Sequence, residues 1–139
     1  MPVSVGSIVN GHPYIEILVS PDGKKAAQQT ALVDTGFSGF ISIPVESAQL
    51  MGLWAHATAL YTLANGKVSD PVPLANGYAC LAGDAFVSGL FSISENASVV
   101  LGMDFLVRCG QVLIIAPSGV ATIDVVEYKK WSASWDASP

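Results

Sequence analysis

The amino-acid sequence predicts an all-β fold, a sandwich or barrel that carries one or two short helices. About nine segments of strand length, apolar or alternating in polarity, follow one another along the chain of 139 residues. Clusters of Gly, Pro, Asn and Asp separate these segments at short intervals, as turns between strands require. Apolar residues make up 51% of the sequence, which is enough for a sizeable core, and the length fits one domain.

The first part of the chain is predicted to hold four strands and a short helix. Residues 6–19 form a hairpin around an Asn-Gly pair, because both residue types tolerate the positive φ that a tight turn needs. A strand over 29–34 leads into a turn, and a second apolar run over 40–44 leads away from it. The segment 44–53 is predicted to be helical, since it starts at a proline and has a glycine near its end.

The middle of the chain is predicted to contain another hairpin. Residues 59–74 carry the turn pair Asn65 and Gly66 between two short apolar segments. The same tetrapeptide, Leu-Ala-Asn-Gly, recurs at 74–77. We interpret the two copies as two similar turns and not as a structural repeat, because two copies do not make a repeat architecture.

The remaining part of the chain is predicted to complete the β-structure with one more short helix. Its glycines and prolines fall between apolar segments, and Gly110 follows a helical segment as a left-handed stop. The expected elements are a strand pair over 78–81 and 85–93, a buried strand end over 99–102, a helix over 103–109, and a final hairpin over 111–116 and 120–126. We divide the chain into a folded domain, 1–126, and a polar C-terminal tail, 127–139.

Charge and composition exclude several classes of partner. The formal net charge is −5 and Arg108 is the only arginine, so neither a nucleic acid nor an anionic membrane is an expected partner. No apolar run reaches the roughly 18–20 residues that span a bilayer, and the N-terminus lacks the pattern of a signal peptide. We therefore expect a cytoplasmic protein with reduced cysteines. Only 12% of residues are charged, which suggests that some apolar surface is buried against a partner.

The tripeptide Asp34-Thr35-Gly36 is the strongest candidate for a functional site. It lies at the end of a predicted strand, where a rigid element can hold a catalytic carboxylate. Acid–base chemistry by paired carboxylates needs two such groups, and the tripeptide occurs once. A homodimer must therefore supply the second copy if the site is catalytic. The alternative is a turn aspartate that accepts hydrogen bonds from nearby backbone amides.

Three segments in this order resemble the retropepsin-like aspartic proteases, and most closely their small single-domain prokaryotic members. Residues 31–39, ALVDTGFSG, resemble the catalytic loop of that family, and the hairpin at 63–67 stands where the family has its mobile flap. Residues 99–106, VVLGMDFL, resemble the family's hydrophobic-hydrophobic-Gly segment and the helix that follows it. The resemblance covers residues 5–126 and implies a closed acid-protease-type barrel with one lobe per chain.

The resemblance implies an aspartic endopeptidase that hydrolyses peptide bonds as a homodimer. Asp34 would pair with its symmetry mate, Thr35 would stiffen the dyad through its hydroxyl, and Gly36 would let a substrate backbone approach closely. Asn65 and Gly66 would form the tip of a flap that folds over a peptide or protein substrate. Neither a metal ion nor an organic cofactor is expected.

One residue departs from the viral members of the family and keeps other functions open. Viral retropepsins have a small residue after the triad, whereas this chain has Phe37, whose ring could line the cleft or pack beneath it. Phe37 and Ser38 are predicted to contribute to substrate binding. One alternative is a catalytically silent retropepsin-like module for dimerisation or peptide binding. Another is an unrelated β-barrel, which predicts that Asp34 does not lie close to the segment around Gly102.

Overall fold

The structure, a computed structural model, describes residues 3–81 and 83–136. About half of the chain is in strands, and the described residues form ten strands and three helices. In chain order these are β1 Val3–Val9, β2 His12–Ser20, β3 Ala27–Val33, β4 Ile41–Pro44, α1 Val45–Met51, β5 Ala55–Ala59, β6 Val72–Leu81, β7 Val87–Ser94, β8 Val99–Leu101, α2 Met103–Arg108, β9 Gln111–Ala116, β10 Gly119–Asp124 and α3 Val125–Asp136.

Six strands close into a barrel. The continuous sheet has the order β5-β6-β7-β4-β8-β3-β2-β1-β10-β9, and an additional pairing between β6 and β2 closes the ring. Two of the pairings in the ring, β3 with β8 and β4 with β7, are parallel. Strands β1, β10 and β9 extend the sheet on one side of the ring, and β5 extends it on the other. The predicted all-β closed barrel is confirmed.

An aromatic cluster fills part of the barrel core. The ring of Phe40 meets those of Phe91 and Phe105 edge to face, with centroids 5.5 Å apart in both pairs. This geometry places the positive edge of one ring against the negative face of another. Ile41 and Leu101 are fully buried beside this cluster, so the core lies directly under the strands that flank residue 34.

Local sequence signals set several element ends as expected. Asn10 and Gly11 both have positive φ, 51° and 78°, which confirms the tight turn between β1 and β2. Gly52 adopts the left-handed conformation, with φ 76°, and ends α1. Gly110, with φ 64°, follows the end of α2 in the same conformation.

The predicted turn at residues 74–77 is wrong. These residues lie inside β6, where Asn76 pairs with Leu90 and Gly77 pairs with Gly89. A Cβ on Gly77 would lie 2.6 Å from a ring carbon of Phe91, so the glycine is needed there to make room for an aromatic side chain. Packing against β7 therefore decides the conformation of this segment.

Two elements were not predicted from the sequence. Strand β5 precedes the predicted hairpin and pairs with β6 in antiparallel fashion. Helix α3 covers much of the segment 127–139, for which the sequence predicts only a polar tail. Within the described residues, no helix has the length and apolar character needed to cross a membrane.

Candidate active site

Asp34 follows β3 directly and is held by the backbone of the neighbouring strand. Its amide donates a hydrogen bond to the carbonyl of Leu101 at 3.0 Å, which continues the pairing of β3 with β8 by one residue. The carbonyl of Asp34 accepts a bond from the amide of Phe37 at 3.1 Å and closes a turn. Its carboxylate accepts a bond from the amide of Gly36 at 2.9 Å, yet the side chain stays exposed. The loop thus fixes the position of a carboxylate that is open to solvent.

The second side of the loop is tied to the start of α2. The amide of Gly102 donates to the carbonyl of Phe40 at 2.9 Å, and the amide of Met103 donates to the carbonyl of Phe37 at 2.8 Å. The amide of Asp104 donates to the carbonyl of Gly39 at 3.1 Å. Two segments that are distant in sequence therefore form one hydrogen-bonded unit. This closeness contradicts the unrelated β-barrel, which predicts none.

Phe37 packs on its own loop. A Cβ on Gly39 would lie 2.5 Å from the tip of the Phe37 ring, and a Cβ on Gly102 would lie 2.7 Å from its side. The half-buried ring therefore covers both glycines and contributes to the rigidity of the loop. Ser38 is exposed next to it.

Asp104 has a local partner. Its carboxylate lies 3.0 Å from Nε of Arg108, one turn further along α2, and Arg108 also donates a bond to the carbonyl of Ser88 at 3.2 Å. Both side chains of the ion pair are substantially exposed. Asp104 therefore holds the side chain of Arg108, and Arg108 ties α2 to β7.

The predicted flap is a hairpin. The amide of Gly66 donates to the carbonyl of Leu63 at 2.9 Å, and Gly66 has a positive φ of 81°. The amide of Lys67 donates to Oδ1 of Asn65 at 3.0 Å. The tip is exposed, and among the described residues no hydrogen bond joins Asn65 or Gly66 to the loop over 34–38. The structure thus places the candidate residues on two separate segments. One loop carries Asp34, Thr35, Gly36, Phe37 and Ser38, and a hairpin carries Asn65 and Gly66.

An apolar cavity beside Thr35 was not predicted from the sequence. Its volume is about 350 Å³, and it connects the candidate catalytic loop to α2 and to β9. Val107 and Met103 contribute exposed apolar side chains to it. The high apolar content of the sequence hints at uncovered surface, but its location depends on the packing of α2 against β9. The lining residues are Thr35, Met103, Leu106, Val107, Gly110, Gln111 and Leu113.

Comparisons with known proteins support the fold through structure and not through sequence. No family model matches the chain, and no curated protein does. A retropepsin-like aspartic protease from Rickettsia conorii superposes with a TM-score of 0.57 at 17% identity, over 87% of this chain and 90% of that one. EIAV protease in complex with the inhibitor HBY-793 superposes with a TM-score of 0.50 at 17% identity, over 77% of this chain and 96% of that one. The resemblance to retropepsin-like proteases is confirmed at the level of the fold.

Proposed function

We propose that this chain is an aspartic endopeptidase whose active site is a dyad of Asp34 and the Asp34 of a second copy. The observation that carries the proposal is the position of Asp34. Its side chain is exposed at the end of a barrel strand. Its amide bonds to the carbonyl of Leu101, and its carboxylate accepts a bond from the amide of Gly36. The fold around it is shared with retropepsin-like aspartic proteases. Peptides or proteins are the proposed substrates.

The chemistry follows from two carboxylates that face each other across a two-fold axis. Two like charges at hydrogen-bond distance oppose each other, so the pair holds one proton. The charged carboxylate accepts a proton from a water molecule, whose oxygen attacks the carbonyl carbon of the peptide bond. The protonated carboxylate donates to the carbonyl oxygen. As the C–N bond of the tetrahedral intermediate breaks, the first carboxyl gives its proton to the leaving nitrogen. The second carboxylate takes a proton back from a hydroxyl of the intermediate, which releases the carboxylic acid and the amine and restores the one-proton dyad.

The neighbouring residues have positioning roles in this proposal. Thr35 would bond across the axis and stiffen the dyad, and the missing side chain of Gly36 would leave room for the substrate backbone. Phe37 and Ser38 would contact the substrate from the rim of the loop. No metal ion or organic cofactor takes part, because the proton shuttle of the dyad is sufficient for hydrolysis.

Strand β9 is the surface that we propose for dimerisation. It is one of the two end strands of the sheet, and among the described residues no strand pairs with its outer side. Natural edge strands are commonly protected by charges, prolines or bulges. The other end strand, β5, has a register shift in its pairing with β6, whereas β9 pairs with β10 over six consecutive residues without one. Strand β9 also lacks charged residues and proline.

The core-side face of β9 supports the same surface. Ile115 lies opposite Val120 and therefore points to the same side of the sheet. Val120 is only 1% exposed, but Ile115 is 52% exposed because the sheet ends at β9. Leu113 on this face lines the cavity that also contains Thr35. Antiparallel pairing of β9 with a second β9 would cover this face and bring the two loops together around one axis.

A cytoplasmic location is part of the proposal. Cys80 is a buried free thiol and Cys109 is a half-buried one. Burial raises the pKa of both thiols, which disfavours the reactive thiolate. Two unreactive free thiols suit a reducing compartment.

Replacement of the proposed catalytic carboxylate tests the function. Asp34→Asn should abolish cleavage of a peptide library, because the amide cannot act as a base in the dyad. Asp104→Asn is the matched control, since it removes a carboxylate from the same region but leaves the dyad intact. Circular dichroism of both variants checks folding. Full activity in Asp34→Asn would overturn the proposal, and a well-folded dimer of the natural chain that cleaves nothing would favour the silent binding module.

A further inference from the structure

The hairpin over residues 61–69 is a self-contained unit outside the barrel. The β5–β6 ribbon has its last pair at Ala59 and Val72, and the hairpin lies beyond it. The amide of Ser69 donates to the carbonyl of Tyr61 at 2.7 Å, and the amide of Tyr61 donates to Oγ of Ser69 at 2.9 Å. Isolated two-stranded hairpins are only marginally stable in water. A contact with the barrel is therefore expected to decide how ordered this hairpin is.

One side-chain hydrogen bond makes such a contact. The hydroxyl of Tyr61 lies 2.7 Å from Oγ of Ser92 on β7. Ser92 is 4% exposed and Tyr61 is half-buried, so the bond is partly shielded from water. Among the described residues, it is the one hydrogen bond that joins the hairpin to the strands of the barrel.

Strand pairing shows which face of the barrel Tyr61 touches. Ser92 lies opposite Ser42 on β4, Ser42 lies opposite Val100 on β8, and Val100 lies opposite Leu32 on β3. Directly opposed residues project to the same face of a sheet. The amide of Asp34 bonds to the carbonyl of Leu101 and continues the β3–β8 ladder by one residue, so the alternation that puts Leu32 on this face places Asp34 on it as well. These side chains form a row across β7, β4, β8 and β3. The row runs from the contact of Tyr61 with Ser92 to the candidate catalytic carboxylate of Asp34.

Exposure along this row suggests how a peptide would lie on it. Ser42 and Ser92 are buried, whereas Leu32 and Val100, closer to Asp34, are half-exposed. Leu63 on the hairpin presents an exposed apolar side chain. A chain bound between the hairpin and the barrel would thus rest on an apolar floor beside Asp34.

We propose that Tyr61, through its bond to Ser92, is a positioning residue that holds the hairpin over the face of the barrel that carries Asp34. The inference rests on the proposed protease function. A single bond between two uncharged hydroxyls makes only a modest net contribution to stability, so it restrains the hairpin without locking it. Loss of the bond makes the hairpin more mobile and weakens its contact with the bound peptide, while the dyad itself is unchanged.

Hydrogen exchange tests this inference without any assay of activity. Tyr61→Phe keeps the ring and removes the hydroxyl, and Ser92→Ala removes the other partner. Each variant should speed exchange of the amides of Leu63, Gly66 and Ser69 by roughly fivefold, the factor expected for one ordinary hydrogen bond. The double variant should show no further increase, because both changes remove the same bond.

A control variant separates this effect from a general loosening of the barrel. Ser42→Ala removes a buried hydroxyl from the same face, but Ser42 bonds to Ser94 and not to the hairpin. Exchange over 62–69 should therefore stay as in the natural chain. Unchanged exchange in both Tyr61→Phe and Ser92→Ala, or additive effects in the double variant, would overturn the inference.

Kinetics then connects the contact to the reaction. Tyr61→Phe should raise KM for a peptide several-fold with a smaller change in kcat, because it affects the holding of the substrate. An unchanged KM together with faster exchange would show that the hairpin is not part of the substrate site, which also overturns the inference. Failure of the natural chain to cleave any peptide would overturn the proposed function, and the exchange experiment would still decide whether Tyr61 holds the hairpin.

Discussion

At the scale of single residues, Gly102 shows how tightly the two halves of the proposed site fit. A Cβ at this position would lie 2.0 Å from the carbonyl oxygen of Gly39 and 2.7 Å from the ring of Phe37. Real Cβ atoms do not approach other atoms this closely, so any side chain would push the loop that follows Asp34 away from α2. The bulky Phe37, which departs from the viral pattern, fills the space that these two glycines leave free.

Gly102→Ala should therefore destabilise the protein by about 3 kcal/mol, since the clash is with backbone atoms and cannot be relieved by a rotamer change. Gly110→Ala is the matched control. That glycine has a positive φ of 64° but open space around its Cβ position, so the variant should lose only about 1 kcal/mol from backbone strain. Urea unfolding of both variants measures the difference. Equal losses of unfolding free energy in the two variants would mean that the close contact between Gly102 and Gly39 does not exclude a side chain at residue 102.

At the scale of elements, the two ends of the sheet differ in a way that matters for assembly. Strand β5 carries an irregular register, and β9 is regular and uncharged. An exposed, regular, apolar edge readily pairs with another strand. Because β9 lies next to the cavity with Thr35, pairing at this edge would complete the proposed site as well as protect the edge.

A lysine on the core-side face of β9 should weaken the dimer. Ile115→Lys places a charge where the proposed interface excludes water, so the dimer dissociation constant should rise at least roughly tenfold. The fold itself should lose little stability, because Ile115 is already half-exposed. Sedimentation equilibrium measures both variant and parent. Leu50→Lys on α1 is the control, since Leu50 is 90% exposed and far from this edge in the chain; a dimer equally stable in all three proteins would place the interface elsewhere.

At the scale of the whole molecule, the sequence contains a single Asp-Thr-Gly loop. The barrel supports that loop from two sides, through Leu101 and through the segment that begins at Gly102. A rigid single lobe can hold a carboxylate in place, but it cannot by itself provide the second one that the proposed chemistry needs. Activity should therefore depend on association.

Specific activity should rise with enzyme concentration and follow a bell-shaped pH profile on the acidic side of neutrality. At low pH both carboxylates of the dyad are protonated and no base remains, and at high pH both are charged and no proton remains to be donated. The two limbs describe the pair and not separate residues. Like charges also oppose dimerisation, so the alkaline limb should shift upward as enzyme concentration increases. Initial rates across pH at several concentrations test this, and a flat profile into strongly alkaline solution would contradict a shared-proton mechanism.

The sequence by itself determined the features that depend on short stretches of chain. Local conformational preferences and apolar patterns predict the fold class and the candidate loop at Asp34. They also predict the tight turn at Asn10 and Gly11 and the ends of α1 and α2. The resemblance in three separate segments also predicted the closed barrel. These signals are local because φ preferences, helix ends and strand alternation are properties of neighbouring residues.

Tertiary structure alone decided what depends on distant residues. The same tetrapeptide, Leu-Ala-Asn-Gly, forms a turn at 63–66 and a straight strand at 74–77. In the second copy, pairing with β7 and the ring of Phe91 against Gly77 outweigh the local preference for a turn. The cavity beside Thr35 and the contact of Tyr61 with Ser92 likewise join residues far apart in the chain. The position of β9 at the end of the sheet also depends on the pairing of distant strands. Such contacts form only when the barrel closes, because the energy that fixes them comes from burial and pairing across strands and not from any one segment.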